Sequence, residues 1–301
     1  MYLLTYIYQN SENIGFFINE NNSVIPANIV FSKIHSLVPR DMIGLIEIIS
    51  SLDVDEVNEL KSSINSCVNE SINICDIKIL APIPYPKRNI ICLGKNYLDH
   101  IKEVNNLKNV SSDIPDNPIY FSKIAFPAIG QNDFIDPHSE IVKELDYEAE
   151  LAIVIGKKCK NVPIENVEDY IFGYTIANDI SARDIQTKHV QWHKGKSYDT
   201  FCPMGPYIVY KNSISFPPNL EIKSYVNGEL RQNSNVNQLI FDIPTIISDL
   251  SSGITLFPGD IILTGTPAGV GAGFKPPRYL NSGDKIECYI ENIGTLVNII
   301  K

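Results

Sequence analysis

The chain has 301 residues, 44% hydrophobic and 20% charged, enough to bury a full core as one large domain or as a small one beside a large one. Its formal charge of -10 argues against nucleic acid or an anionic membrane surface as a partner, but allows a small anionic substrate where a metal and a few basic residues reverse the field locally. The N-terminal stretch lacks the charged and apolar regions of a signal peptide, and no apolar run is long enough to span a bilayer. A cytoplasmic protein with no membrane partner is therefore expected.

In chain order, residues 1–82 read as a small N-terminal unit. Apolar patterning predicts strands over 2–8 and 14–18 around the turn Asn10-Ser11-Glu12-Asn13, and helices over 42–52 and 54–66. Closely spaced prolines make 81–86 an irregular linker, since they forbid a helix or a central strand. A strand over 89–93 opens the main domain, residues 83–301. Further strands are predicted over 119–123, 148–155, 170–178, 204–210, 220–226, 261–264 and 285–290. Asn227-Gly228 between apolar flanks signals a tight hairpin. Helices are few: one over 181–190, opened by the cap-like Ser181-Ala182-Arg183-Asp184, and one over 243–251. The balance predicts a β-rich α+β fold. The six cysteines form no CxxC pair, which excludes zinc-ribbon and thioredoxin readings and leaves Cys92 and Cys202 as small core residues.

The segment 146–156, Asp-Tyr-Glu-Ala-Glu-Leu-Ala-Ile-Val-Ile-Gly, carries the most information. In a strand, residues i and i+2 point the same way, so Glu148 and Glu150 project together at the mouth of a continuously apolar run. Two crowded, dehydrated acids are relieved most simply by Mg²⁺ or Mn²⁺, which take hard oxygen ligands. An edge strand with its acids in solvent is the plain alternative.

Four other segments are candidates. In Asn96–Glu103, His100 and Glu103 share one helical face, where a carboxylate orients the imidazole as a general base; an incidental surface pair is the alternative. Asp179 ends an apolar strand and is a candidate third ligand, with Ser181 left to cap the next helix. Lys196 lies in Gly195-Lys196-Ser197, which is no phosphate loop because Val190 stands where that motif needs glycine. It reads as a cation for a carboxylate or an enolate, or as a surface lysine. The glycine-rich run 259–271 would offer amides and the Thr264 and Thr266 hydroxyls as a neutral cradle, or be a plain turn. His189 and His193 suit one face of an ordinary helix.

Taken in order, ICLGKNYLDHIKE, LDYEAELAIVIGK, FGYTIANDISARDIQ, GKSYDTFCPMGP, VNGELRQ and LTGTPAGVGAG resemble the fumarylacetoacetate hydrolase superfamily from Ile83 to the C-terminus. The resemblance implies a β-sandwich-like roll, one Mg²⁺ or Mn²⁺ per subunit, and a homodimer. It makes Glu148, Glu150 and Asp179 the metal ligands, and His100 and Glu103 a catalytic dyad on a lid. Lys196 becomes the catalytic lysine beside the metal. Arg183, Gln186 and Thr266 become substrate contacts. The N-terminal unit and a longer lead-in, 131–145, depart from the shortest members.

A cation that chelates the carboxylate and oxo group of a 2-oxo acid stabilises an enolate. Hydrolytic C–C cleavage, loss of CO₂ and enol–keto isomerisation all pass through that enolate. The wording around NIICLGKNYLDH and DTFCPMGP resembles bacterial members of the oxaloacetate decarboxylase type, so decarboxylation of oxaloacetate to pyruvate and CO₂ is expected. The alternatives are an acylpyruvate or fumarylpyruvate hydrolase and a 2-hydroxyhepta-2,4-diene-1,7-dioate isomerase. A non-catalytic binding module is disfavoured, because every expected acid, His100 and Lys196 are retained. Substrate specificity is expected in loops such as 105–117.

Overall fold

Strand Ala149–Ile155 is the spine of the molecule, with every residue buried. Its continuous apolar run suits a strand covered on both faces. Leu151, Ile153 and Ile155 pack into one core, and Ala152 and Val154 into the other. The computed structural model describes residues 1–34, 37–108 and 114–301, with side chains throughout except at 104–108.

The spine lies within an eleven-stranded sheet. On one side come Ile171–Asn178, Met204–Tyr210, Tyr2–Tyr8, Ser11–Ile18, Ser23–Pro26 and Ile72–Asn73, with Lys78–Ile79 also pairing with Tyr2–Tyr8. On the other come Ile261–Leu263, Ile90–Gly94 and Ile119–Lys123. A five-stranded sheet runs Glu229–Asn235, Glu221–Val226, Lys285–Ile290, Gly294–Ile300 and Phe134–Ile135. Ile222, Ile286, Ile290 and Leu296 from it share a core with Leu151 and Ile153, which makes a two-sheet sandwich. The opposite face is covered by helices Ala27–Ile34, Met42–Ser51 and Val54–Ser66 through Phe31, Leu45, Ile46 and Leu60. Among the described residues, no helix is long and apolar enough to cross a membrane.

Most predicted elements stand within a residue or two of their expected ends, the usual uncertainty of element boundaries. Asp41 and Asp53 cap the helices Met42–Ser51 and Val54–Ser66, the second with a complete capping box to Glu56. Asn227 and Gly228 have φ of 53° and 79° and close the hairpin between Glu221–Val226 and Glu229–Asn235.

Three expectations change. The second strand starts at Ser11, because Gln9 and Asn10, at φ of 50° and 61°, make the turn one step earlier. The helix expected over 181–190 is Arg183–Lys188, and Ser181 does not cap it. Ser181 instead pairs in the short strand Ser181–Ala182 with Leu145–Asp146. His189 ends that helix while His193 opens the next, His193–Lys196, so the two histidines share no helical face. The proline segment 81–86 is irregular as expected but pinned: Thr5 Oγ1 donates to Pro82 O and Ala128 N to Pro84 O.

Candidate metal centre and active site

Antiparallel pairing sets Ala149 opposite Asn178. That register puts Glu148 and Glu150 beside Asp179, whose amide donates to Glu148 O over 2.8 Å. All three acids are buried, and one oxygen from each lies within 4.8 Å of the others. Their parity is the one read from the sequence, although the regular strand starts at Ala149.

Burying three carboxylates demands countercharge. Lys196 Nζ lies 2.8 Å from Glu148 Oε2 and 2.7 Å from Asp179 Oδ2. Arg183 bridges Glu148 over 2.6 Å and Asp146 over 2.9 Å. Lys123, at the end of its strand and fully buried, pairs with the other Asp179 oxygen and donates to Phe201 O. Burial alone would raise the Glu148 carboxyl, but Lys196, Arg183 and His100 together hold it well below the usual carboxylate range. Burial likewise opposes the charge on Lys196, and Asp179 and Glu148 outweigh it, so this ammonium is held on.

Glu150 is the exception. Among the described residues it has no cationic partner, and its one donor is Gly265 N at 2.7 Å. Burial, then Asp179 and Glu148, push its carboxyl well above the ordinary value. A hard-oxygen triad with one acid lacking countercharge fits a divalent cation in charge and in donor type. Two buried polar atoms near the triad also lack protein partners: Arg183 Nη2 and the Tyr97 hydroxyl.

Through Glu148 the triad reaches a cavity of about 590 Å³ whose wall also includes His100, Arg183, Gln186, Lys196 and Thr266. Glu103 joins through His100, its Oε2 lying 3.3 Å from His100 Nδ1. The helix Leu98–Lys108 that carries them is closed onto the glycine loop, because Glu103 Oε1 accepts from Gly269 N at 3.0 Å. Gln186 accepts from Arg183 Nη1 and so steadies the guanidinium. All nine candidate residues are thus at one site. Of the segment 105–117, residues 109–113 lie outside the described residues.

The glycine-rich run differs from the neutral cradle expected. Its amides hold the protein's own acids: Gly265 on Glu150, Gly269 on Glu103, and Gly271 and Ala272 on Asp146. The threonine hydroxyls are also engaged. Thr264 donates to Leu151 O and Thr266 to Ala149 O, and Thr266 also accepts from Gln232. The run therefore stitches the strand to the helix Leu98–Lys108.

Sequence reasoning missed Lys123, Asp146 and Gln232. Asp146 had a signal, since it continues the i, i+2 series of Glu148 and Glu150. Lys123 had only its position at the end of an apolar strand. Cys92 and Cys202 are buried free thiols, as expected.

The comparisons with known proteins agree with this geometry. A family model described as the C-terminal region of fumarylacetoacetate hydrolase matches residues 89–301. Oxaloacetate tautomerase YisK of Bacillus subtilis is 50% identical over 228 residues, 76% of this chain and 74% of that protein. The solved fumarylacetoacetate hydrolase of Exiguobacterium antarcticum has a TM-score of 0.81 at 36% identity, covering 100% of this chain and 99% of that one. The maleylpyruvate hydrolase of Sphingobium sp. SYK-6, solved with manganese(II) and pyruvate, has a TM-score of 0.75 at 28% identity, covering 100% and 98%. The chain therefore belongs to the fumarylacetoacetate hydrolase family.

Proposed function

We propose that this chain is an enzyme that uses Mg²⁺ or Mn²⁺ to interconvert the keto and enol forms of oxaloacetate. The observation that carries the reading is the buried triad of Glu148, Glu150 and Asp179, which reaches through Glu148 a cavity with His100 in its wall. Two comparisons support it: the related Bacillus subtilis protein is named an oxaloacetate tautomerase, and the Sphingobium structure holds manganese(II) with pyruvate. A cation held by the triad would draw electron density from a 2-oxo group and so favour the enolate.

The chain's own residues supply the rest. Glu103 accepts the Nδ1 proton of His100, which leaves the Nε2 lone pair for the C3 proton of the substrate. That proton leaves C3, the C2 oxygen takes one in its place, and the reverse order regenerates the ketone. Arg183 Nη2, buried without a partner, offers a donor to the C1 carboxylate. Gln186 holds the guanidinium to that task. Thr266 spends its hydroxyl proton on Ala149 O, so its contact with substrate falls to the main-chain amide. Lys196 keeps Glu148 ionised, pairs with Asp179 and adds positive potential where enolate charge develops. Phe121, Trp192 and Val270 supply apolar surface to the cavity wall.

Decarboxylation is the second reading. The C3–C4 bond breaks, its electrons form the enolate of pyruvate, CO₂ leaves, and a proton arrives at C3. The ammonium of Lys196 beside the triad favours it, and no base is needed. The two readings separate in one experiment, by following enol absorbance and pyruvate release with Mn²⁺ and oxaloacetate, and acetylpyruvate as a control. Faster ketonisation, lost in Glu148→Ala and in His100→Asn, is the expected result. Pyruvate release that survives His100→Asn would establish the decarboxylase instead, and acetylpyruvate cleavage a C–C hydrolase. No reaction above the free-metal background would overturn all three. The same reading takes the protein as a cytoplasmic homodimer, which light scattering checks as twice the mass of one chain.

A further inference from the structure

Three cations line the active-site cavity besides His100: Arg183, Lys196 and Lys95. The first two are committed to Asp146, Glu148 and Asp179. Lys95 makes no hydrogen bond or ion pair among the described residues, and it is half-buried. It also sits at φ 55°, in the left-handed region that non-glycine residues occupy at a cost of about 1 kcal/mol. The neighbouring residues fix it there. Asn96 donates to Thr264 O and Phe241 O and accepts from Phe241 N. Gly94 lies so close to Trp192 that a Cβ would come within 2.0 Å of the ring. An unpaired lysine on a cavity wall, its backbone strained and fixed, calls for an anion from outside the protein. Glu144, also on the wall, accepts from the Tyr279 hydroxyl.

The geometry points to Lys95 as the residue that pairs with the far carboxylate of a four-carbon dicarboxylate and so selects it over acids with a neutral tail. This rests on the proposed reading, in which the C2 oxygen would be served by a cation held by the triad and the C1 carboxylate by Arg183. Those groups serve one end of the substrate only. The far end, two carbons away, needs a separate cation, and among the described residues on the cavity wall Lys95 is the one available. Lysine suits that task, because a flexible point charge tolerates the shift of the C4 carboxylate as C3 changes between tetrahedral and planar.

The test uses two ligands that do not react: L-malate and the 2-hydroxybutyrate of the same hand, which differ in carrying a carboxylate or a methyl group at C4. Each is titrated calorimetrically into Mn²⁺-loaded protein. Wild type should bind malate about tenfold or more tightly, the scale of one partly solvated charge pair. Lys95→Met should remove most of that ratio, leave 2-hydroxybutyrate and Mn²⁺ binding unchanged, and be rescued by Lys95→Arg. A preference that survives Lys95→Met, a wild type without preference, or equal weakening of both ligands would each overturn the assignment. Oxaloacetate ketonisation is measured in parallel. Absent turnover with the malate preference intact would sink the tautomerase reading and leave Lys95 standing.

Discussion

At the scale of single residues, the site is an exercise in keeping buried acids charged. Glu150 is the acid that the protein itself does not neutralise, and burial with Asp179 and Glu148 raises its carboxyl well above the ordinary range. A raised folded-state value means that the protonated form stabilises the metal-free protein. That stability is complete below the ordinary carboxylate value and is lost as pH rises through the raised one. A cation must displace the proton, so metal affinity increases over the same window. The expected outcome is a larger metal-induced rise in Tm at pH 8 than at pH 5, with proton release on Mn²⁺ binding seen in buffers of different ionisation enthalpy. Glu150→Gln should abolish both, and a flat pH profile in wild type would refute the linkage. Asp146 acts one step further out. It accepts from Gly271 N and Ala272 N and pairs with Arg183 Nε. Asp146→Asn keeps the size and loses the charge, so Arg183 loosens and turnover falls about 10–100-fold. Mn²⁺ affinity should change less than turnover.

At the scale of elements, the helix Leu98–Lys108 is tied to the glycine loop by a side chain that does two jobs. Glu103 orients His100 with one oxygen and accepts from Gly269 N with the other. Gly273 leaves room for it, since a Cβ there would lie 1.9 Å from Glu103 Oε1. Gly273→Ala therefore displaces Glu103 rather than the backbone. Turnover should fall about tenfold, with Tm changed by no more than about 2 °C. A variant with full activity would show that neither contact of Glu103 matters. The elements were largely legible in the sequence, because strand parity, the Asn-Gly turn and the helix caps are local signals. The hairpin at Asn227, the spine 149–155 and the helices Met42–Ser51 and Val54–Ser66 follow from those signals alone. Ser181 misled for a local reason as well. Its pattern is that of a cap, but the backbone there is drawn into a strand by Leu145–Asp146, about 36 residues earlier in the chain.

At the scale of the whole molecule, what the sequence hides is long-range pairing. The acids of the triad announce themselves by spacing, but their counterions do not. Lys123 meets Asp179 only because its strand lies three places from the spine, beyond Ile261–Leu263 and Ile90–Gly94. The glycine run was legible as a special loop, yet its hydrogen-bond partners lie more than 100 residues away, so whether it served a ligand or the protein's own acids was not. The same pairing bears on the N-terminal unit, read from the sequence as residues 1–82. Its strand Tyr2–Tyr8 pairs with Met204–Tyr210, so one sheet crosses that boundary. Its helices bury Leu45 and Leu60 in the same core as Ala152 and Val154 of the spine. A shared core predicts that damage on the N-terminal side is felt by the whole fold but not by the triad, whose ligands stand on the central strands. Leu45→Ala should therefore lower stability by about 2–5 kcal/mol in a single unfolding transition, with unchanged Mn²⁺ affinity in the folded protein. Two separate transitions, only the first of them shifted, would instead mean that residues 1–82 fold as an autonomous unit docked on the catalytic domain.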